Sequence, residues 1–234
     1  MGVTIYLFDK LGEFQNDWLY ARYHFSFSEY RNPERVRFGV LRVINDDIVR
    51  AGGGFGMHPH EDMEIITYVR HGAITHEDSL GNKGRTAAGD VQVMSAGTGI
   101  RHSEANTEDE DTNLYQIWIF PREKGVAPRW DQRSFPKDPV NDNLHLLVSG
   151  REEDTENGAL YIHQDAYIYG GRLNAGAAVT QKLAHQGYLL VSEGEILLNG
   201  QKMRKGDGAE ITDSAAEIRA ESDAEVVLID VPPR

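Results

Sequence analysis

The chain has 234 residues, 40% hydrophobic and 26% charged, which suits one large domain or two small ones and excludes a membrane protein, a disordered tail and a coiled coil. Its formal net charge of −13 argues against bare nucleic acid as the main partner, because such proteins need Lys/Arg stripes to displace counterions from phosphates. There is no cysteine, so thiolate metal sites, disulfides and Cys nucleophiles are excluded; chemistry is left to His, carboxylates, hydroxyls or a cofactor.

The opening MGVTIYLFDKLGEF has no basic stretch leading into an apolar run, so it does not read as a signal peptide. No apolar run reaches the 18 or so residues that a spanning helix needs. A cytoplasmic protein is expected. Helix signals are scarce, and short Val/Ile/Tyr/Phe/Leu-rich runs predict strands at Phe38 to Ile44, Glu64 to Arg70, Asp90 to Met94 and Leu114 to Phe120. Further runs at Leu144 to Val148, Tyr188 to Ser192 and Glu225 to Val231 continue the pattern. Gly81-Asn82 and Asn199-Gly200 read as hairpin turns. The fold class is all-β, a sandwich or a barrel.

Two stretches echo each other. Tyr68 to Gly72 followed by Gly89-Asp90 matches Leu190 to Gly194 followed by Gly206-Asp207, an offset of about half the chain. This predicts a duplicated β domain. Pro121 to Asn143 carries four of the eight prolines and many charges. The expected division is a first barrel over 1–125, a linker over 126–143 and a second barrel over 144–234.

The segment Gly52 to Glu64 is the richest in chemistry. On a strand His58 and His60 project to the same side, so the H-x-H pair is a bidentate metal chelate. His102 and Glu104 share parity in the same way. If both strands line one barrel, His58, His60, His102 and Glu104 form a three-His, one-carboxylate site. Nitrogen and oxygen ligands without sulfur suit a borderline-to-hard divalent ion, and four ligands leave two octahedral positions open for substrate and dioxygen.

Gly52, His58, His60 and Glu64 match the first cupin motif, Gly-x5-His-x-His-x3-Glu, and Gly89, His102 and Asn106 resemble the second. More narrowly, HPHEDMEIITYV, HEDSLGN and VQVMSAGTGIRHSE are similar to the pirin family, a branch of the bicupins, as are HFSF, LRVINDD, LYQIWIFP and YIHQD. The resemblance implies two tandem cupin β-barrels, with iron in the N-terminal one held by His58, His60, His102 and Glu104. General cupins use the motif-one Glu, here Glu64, as the ligand; the pirin pattern uses Glu104. Glu104 is therefore the expected ligand, with Glu64 orienting a His from behind. The expected metal is Fe(II), though Ni, Mn, Cu and Zn suit the same donors.

Pirin-like bacterial proteins are associated with quercetin 2,3-dioxygenase activity, and animal pirin with a nuclear cofactor role in transcription. The expected function is a metal-dependent dioxygenase on a flat polyphenol and O2, with Glu104 taking the substrate's hydroxyl proton. The alternative is a non-catalytic iron-containing redox or ligand sensor acting through a protein partner. A third reading, sugar-phosphate isomerisation, needs a basic clamp, for which only Arg42, Arg70, Lys83, Arg85 and Arg101 lie near in sequence. No direct nucleic-acid or membrane partner is expected, and the chain is expected to be a monomer.

Other residues carry plainer readings. The second barrel has Thr180, Lys182 and Arg219 where the first has its His, and is expected to lack metal ligands. His24, Phe25 and Phe27 fit either a pocket mouth or core packing. Gln116 and Trp118 are read as barrel packing, with a cavity-facing position as the alternative. His76, before Asp78 and a turn, is expected on the rim.

Overall fold

The computed structural model describes residues 2–234. Each half of the chain builds one seven-stranded and one four-stranded antiparallel-rich sheet. The seven apolar runs all overlap strands, among them Leu41–Val49, Glu64–His71, Thr112–Ile119, Gln186–Glu193 and Ala224–Val231. The duplication is visible in the turns. Gly72 and Gly194 end equivalent strands with φ of 69° and 77°, and Gly89 and Gly206 precede equivalent strands with φ of 79° and 87°. These left-handed conformations are those glycine adopts without a Cβ penalty. Two 3-10 turns, Phe8–Lys10 and Glu152–Asn157, are the helical elements among the described residues, none of which forms a helix long and apolar enough to cross a membrane.

Two segments pair outside the expected division. The span 126–143, expected as a linker, contributes Arg129–Arg133, which runs antiparallel to Val91–Ser95 at the edge of the first large sheet. The N-terminal strand Val3–Tyr6 pairs with Gly208–Ile211 in the second large sheet. Each half thus lends or borrows a strand, which ties the two together.

Strand alternation sorts the side chains of the first half into two faces. Along Thr112–Ile119, Tyr115, Ile117 and Ile119 turn outward to a seam shared with Leu147, Ile168, Tyr188, Leu190, Val227 and Ile229 of the second half. Burying a Leu or Ile fully contributes about 1.5–3 kcal/mol, so this seam is a main source of stability. Polar groups pin it. Arg70 donates twice to Asp46 at 2.7 Å and also reaches the Ser192 carbonyl across the seam, while Tyr68 donates to Glu225 at 2.8 Å.

The opposite face looks into each barrel, and there the halves diverge. The second barrel is filled by Leu189, Val191, Ile196, Leu198, Met203, Ile211 and Ile218. Thr180, Lys182 and Arg219 stand exposed on its outside. In the first barrel the inward row is Asn45, Asp47, Thr67, Gln92, Gln116 and Trp118, and a cavity of about 420 Å³ remains. A functional site belongs in the first barrel.

Candidate metal centre

His58 and His60 sit on Gly54–His60, an outer strand of the four-stranded sheet. Pro59 between them lacks an N–H, which an edge position tolerates. The neighbouring strand Ile100–Ala105 places His102 directly opposite His58 and Ile100 opposite His60. The three histidines offer one ligand atom each within 4.8 Å of one another.

The partners of the rings assign their tautomers. His58 Nδ1 lies 2.7 Å from the Gly56 carbonyl and must donate to it, which leaves Nε2 as a lone pair. His58 Nε2 stands 3.0 Å from His102 Nε2. Two nitrogens each about 2.0–2.1 Å from one ion in adjacent positions are separated by about that distance. His60 Nε2 is buried without any hydrogen-bond partner among the described residues. Burial and mutual proximity push His102 down to about 2, with His76 adding to the effect, and burial with His58 pushes His60 down to about 4. His60 and His102 are therefore neutral at pH 7, as metal ligation requires. Converging lone pairs and an orphaned ring nitrogen fit a divalent cation.

Glu104 lines the same cavity, 3% exposed. Its Oε1 accepts from Thr67 Oγ1 at 3.0 Å and Gln92 Nε2 at 2.6 Å, and its Oε2 accepts from Gln116 Nε2. Burial pushes its carboxyl up to about 7 against the pull of these three donors. Glu64 is elsewhere. The parity that seemed to align it with His58 and His60 runs through a break at Glu61–Met63, where Asp62 has φ of 46° and the chain crosses to the other sheet. On Glu64–His71 it shares the outward face of Ile66 and Tyr68. Its carboxylate accepts from Ser95 Oγ at 2.7 Å, with the His163 main chain and Arg129 nearby. It orients no histidine, contrary to expectation.

His76 takes that role instead. Expected on the rim, it is fully buried, stacked on Trp130 at 4.9 Å, and the missing Cβ of Gly84 leaves room for that indole. His76 Nε2 lies 3.0 Å from Asp78 Oδ2, and its Nδ1 faces His102 Nδ1 at 3.4 Å. Asp78 has no proton to give, so His76 donates to it and accepts from His102. His102 then keeps its Nε2 lone pair toward His58.

Aromatic side chains complete the cavity: Trp18, Phe27 and Phe55, with Trp118 edge-on to His60 at 4.9 Å. Gln116 and Trp118 thus face the cavity rather than the packed barrel. His24 and Phe25 go to the seam, where His24 Nδ1 meets Tyr188 Oη at 2.9 Å. No Lys or Arg lines the cavity among the described residues. Arg42 holds the Ser26 and Val36 carbonyls, Arg70 is in the seam, Lys83 and Arg85 pair with Glu77 and Glu108, and Arg101 reaches the Met57 carbonyl. A phosphate clamp is not assembled. Thr67, Gln92 and Trp130 escaped the sequence reading; for the first two the available signal was a polar residue inside a buried run, as in EIITYVRH and VQVMS.

Fold and site together define a two-barrel cupin protein with a histidine metal site in its first barrel. Residues 7–119 match the family model described as Pirin, and residues 146–231 match the Quercetinase C-terminal cupin domain. The chain is 50% identical to a pirin-like protein of Caulobacter vibrioides over 226 residues, covering 95% of this chain and 97% of that one. It is 44% identical to the quercetin 2,3-dioxygenase of Escherichia coli K12 over 229 residues, covering 96% of each. The structure of a bacterial pirin, YhhW, in complex with nickel(II) from Escherichia coli superposes with a TM-score of 0.91 at 41% identity, covering 100% of both chains. The chain belongs to the pirin family.

Proposed function

We propose that the protein is a metal-dependent dioxygenase that opens the central ring of a flavonol such as quercetin, with Fe(II) held by His58, His60, His102 and Glu104. The observation that carries this reading is the set of converging imidazoles at the wall of an aromatic-lined cavity sized for a flat polyphenol. Among relatives, the Escherichia coli quercetin 2,3-dioxygenase supports the substrate class. The metal, when bound, supplies Lewis acidity toward the substrate's 3-hydroxyl and carbonyl and open positions for substrate and dioxygen.

The chain's own residues do the rest. Trp18, Phe27, Phe55 and Trp118 flank the flat ring and exclude water around it. Thr67, Gln92 and Gln116 hold the Glu104 carboxylate in place. Glu104, the carboxylate beside the three histidines, takes the proton of the substrate's 3-hydroxyl as the ring becomes reactive toward O2. Both oxygen atoms enter the products, and one ring carbon leaves as carbon monoxide. Turnover of quercetin under 18O2 tests this: the ring-opened ester is expected to carry both labelled atoms. Unlabelled product, or none from metal-loaded protein, contradicts it.

A further inference from the structure

The histidines hang from the four-stranded sheet. On the facing seven-stranded sheet, Asn45 and Asp47 stand two residues apart on one strand and so share one face. They are 5% and 2% exposed and both line the cavity. Asn45 Oδ1 and Asp47 Oδ1 are buried without a hydrogen-bond partner among the described residues. Their neighbours are fully engaged elsewhere. Asp46, between them, points to the seam and is taken by Arg70 and Asn113, and Gln116, opposite Asn45, is taken by Glu104. Buried polar side chains are almost always paired, so two orphaned acceptors on one wall of a ligand cavity need an explanation. Burial, with Asp46 and Glu104 near, pushes the Asp47 carboxyl well above the usual range.

We propose that Asn45 and Asp47 form a hydroxyl-binding subsite that faces the metal ligands and orients a substrate through ring hydroxyls other than the chelating one. The proposal rests on the reading that this cavity is the substrate site. It makes the two residues determinants of specificity: a polyhydroxylated ring satisfies both groups, whereas a bare ring leaves them unpaired. A site built to pair a hydroxyl discriminates strongly against the analogue that lacks it.

The test compares quercetin with 3-hydroxyflavone, which keeps the chelating 3-hydroxyl and 4-carbonyl and lacks the other hydroxyls. Binding to nickel-loaded protein is followed by quenching of Trp18 and Trp118 fluorescence. The parent is expected to bind quercetin at least tenfold tighter, and an Asn45→Leu, Asp47→Leu variant to bind the two equally, with quercetin weakened and 3-hydroxyflavone bound no more weakly than by the parent. Metal-free melting of the variant at or above the parent's temperature shows that the fold is intact. Asp47→Asn, which keeps hydrogen-bonding groups, is expected to keep most of the preference should the double variant not fold. A preference that survives in the folded double variant, an equal loss for both flavonols, or a parent that binds the two flavonols alike overturns the proposal. Should neither flavonol bind the parent, the flavonol reading falls and resorcinol, titrated into metal-free protein, decides the subsite. Saturable binding that the variant loses upholds it; no binding, or binding the variant keeps, overturns it.

Discussion

Replacing Asp78 with Asn tests the chain of contacts behind His102. The carboxylate accepts from His76 Nε2 at 3.0 Å, from the Leu80 and Asn82 main-chain N–H groups at 2.9 and 3.0 Å, and from Asn82 Nδ2 at 2.9 Å. In Asp78→Asn the amide oxygen keeps the main-chain partners, and the amide nitrogen meets two donors. His76 relieves the clash by shifting its proton to Nδ1, where it confronts the His102 Nδ1–H. His102 then either moves or gives up the Nε2 lone pair that faces His58. Losing a charge-assisted hydrogen bond costs about 1.5–3 kcal/mol. Removing a partner that orients a ligating His lowers metal affinity about 10–100-fold, or about 1.4–2.8 kcal/mol, so the two magnitudes agree. Calorimetric titration of metal-free protein with nickel in the presence of a competing chelator measures it. A folded Asp78→Asn protein whose nickel affinity stays within about twofold of the parent refutes the reasoning.

Glu104→Gln is expected to lower nickel affinity at least about tenfold, whereas Glu64→Gln keeps it and costs about 1 kcal/mol of stability through the Ser95 bond, read by titration and melting. On the proposal that Glu104 is the fourth ligand, nickel affinity is expected to rise with pH until about 7 and then level off, because His60 and His102 are already neutral and the Glu104 carboxyl has still to lose its proton; Glu104→Gln removes that step, and a step surviving in the variant contradicts the assignment. His24, buried and pushed down to about 3 by burial with Arg35 and Arg70 adding, stays neutral when folded and charges when unfolded. Its contribution is present above pH 6.5 and lost as pH falls toward 3, so His24→Gln is expected to flatten the acid limb of metal-free melting temperature against pH. In Gly84→Ala the new Cβ would lie 2.2 Å from Trp130 Cη2, displacing the indole from His76; reduced nickel affinity is expected, and an unchanged one contradicts the packing argument.

Much of this was legible in the chain. An H-x-H pair on a strand defines its own geometry, and the apolar runs of both halves became strands because they bury one face in the seam. Glu64 misled because parity holds only within one strand, and the turn at Asp62 resets it. His76 misled because closeness to a turn suggests exposure, while Trp130, more than fifty residues on, covers it from a strand whose sequence RWDQR is mostly polar and half-buried up to its exposed last residue. The exchange of Val3–Tyr6 into the far sheet depends on long-range pairing that no local pattern encodes. Asn45 and Asp47 look like ordinary polar residues in LRVINDD until the cavity shows that their side-chain Oδ1 atoms have no partner among the described residues.

The central claim is that a metal at His58, His60 and His102 drives ring cleavage. Oxygen uptake and carbon monoxide release on adding quercetin, compared between Fe(II)-loaded and chelator-stripped protein, test it most directly. The claim predicts matched O2 consumption and CO release with iron and neither after stripping. Turnover indifferent to the metal, or no turnover with iron confirmed bound, contradicts it.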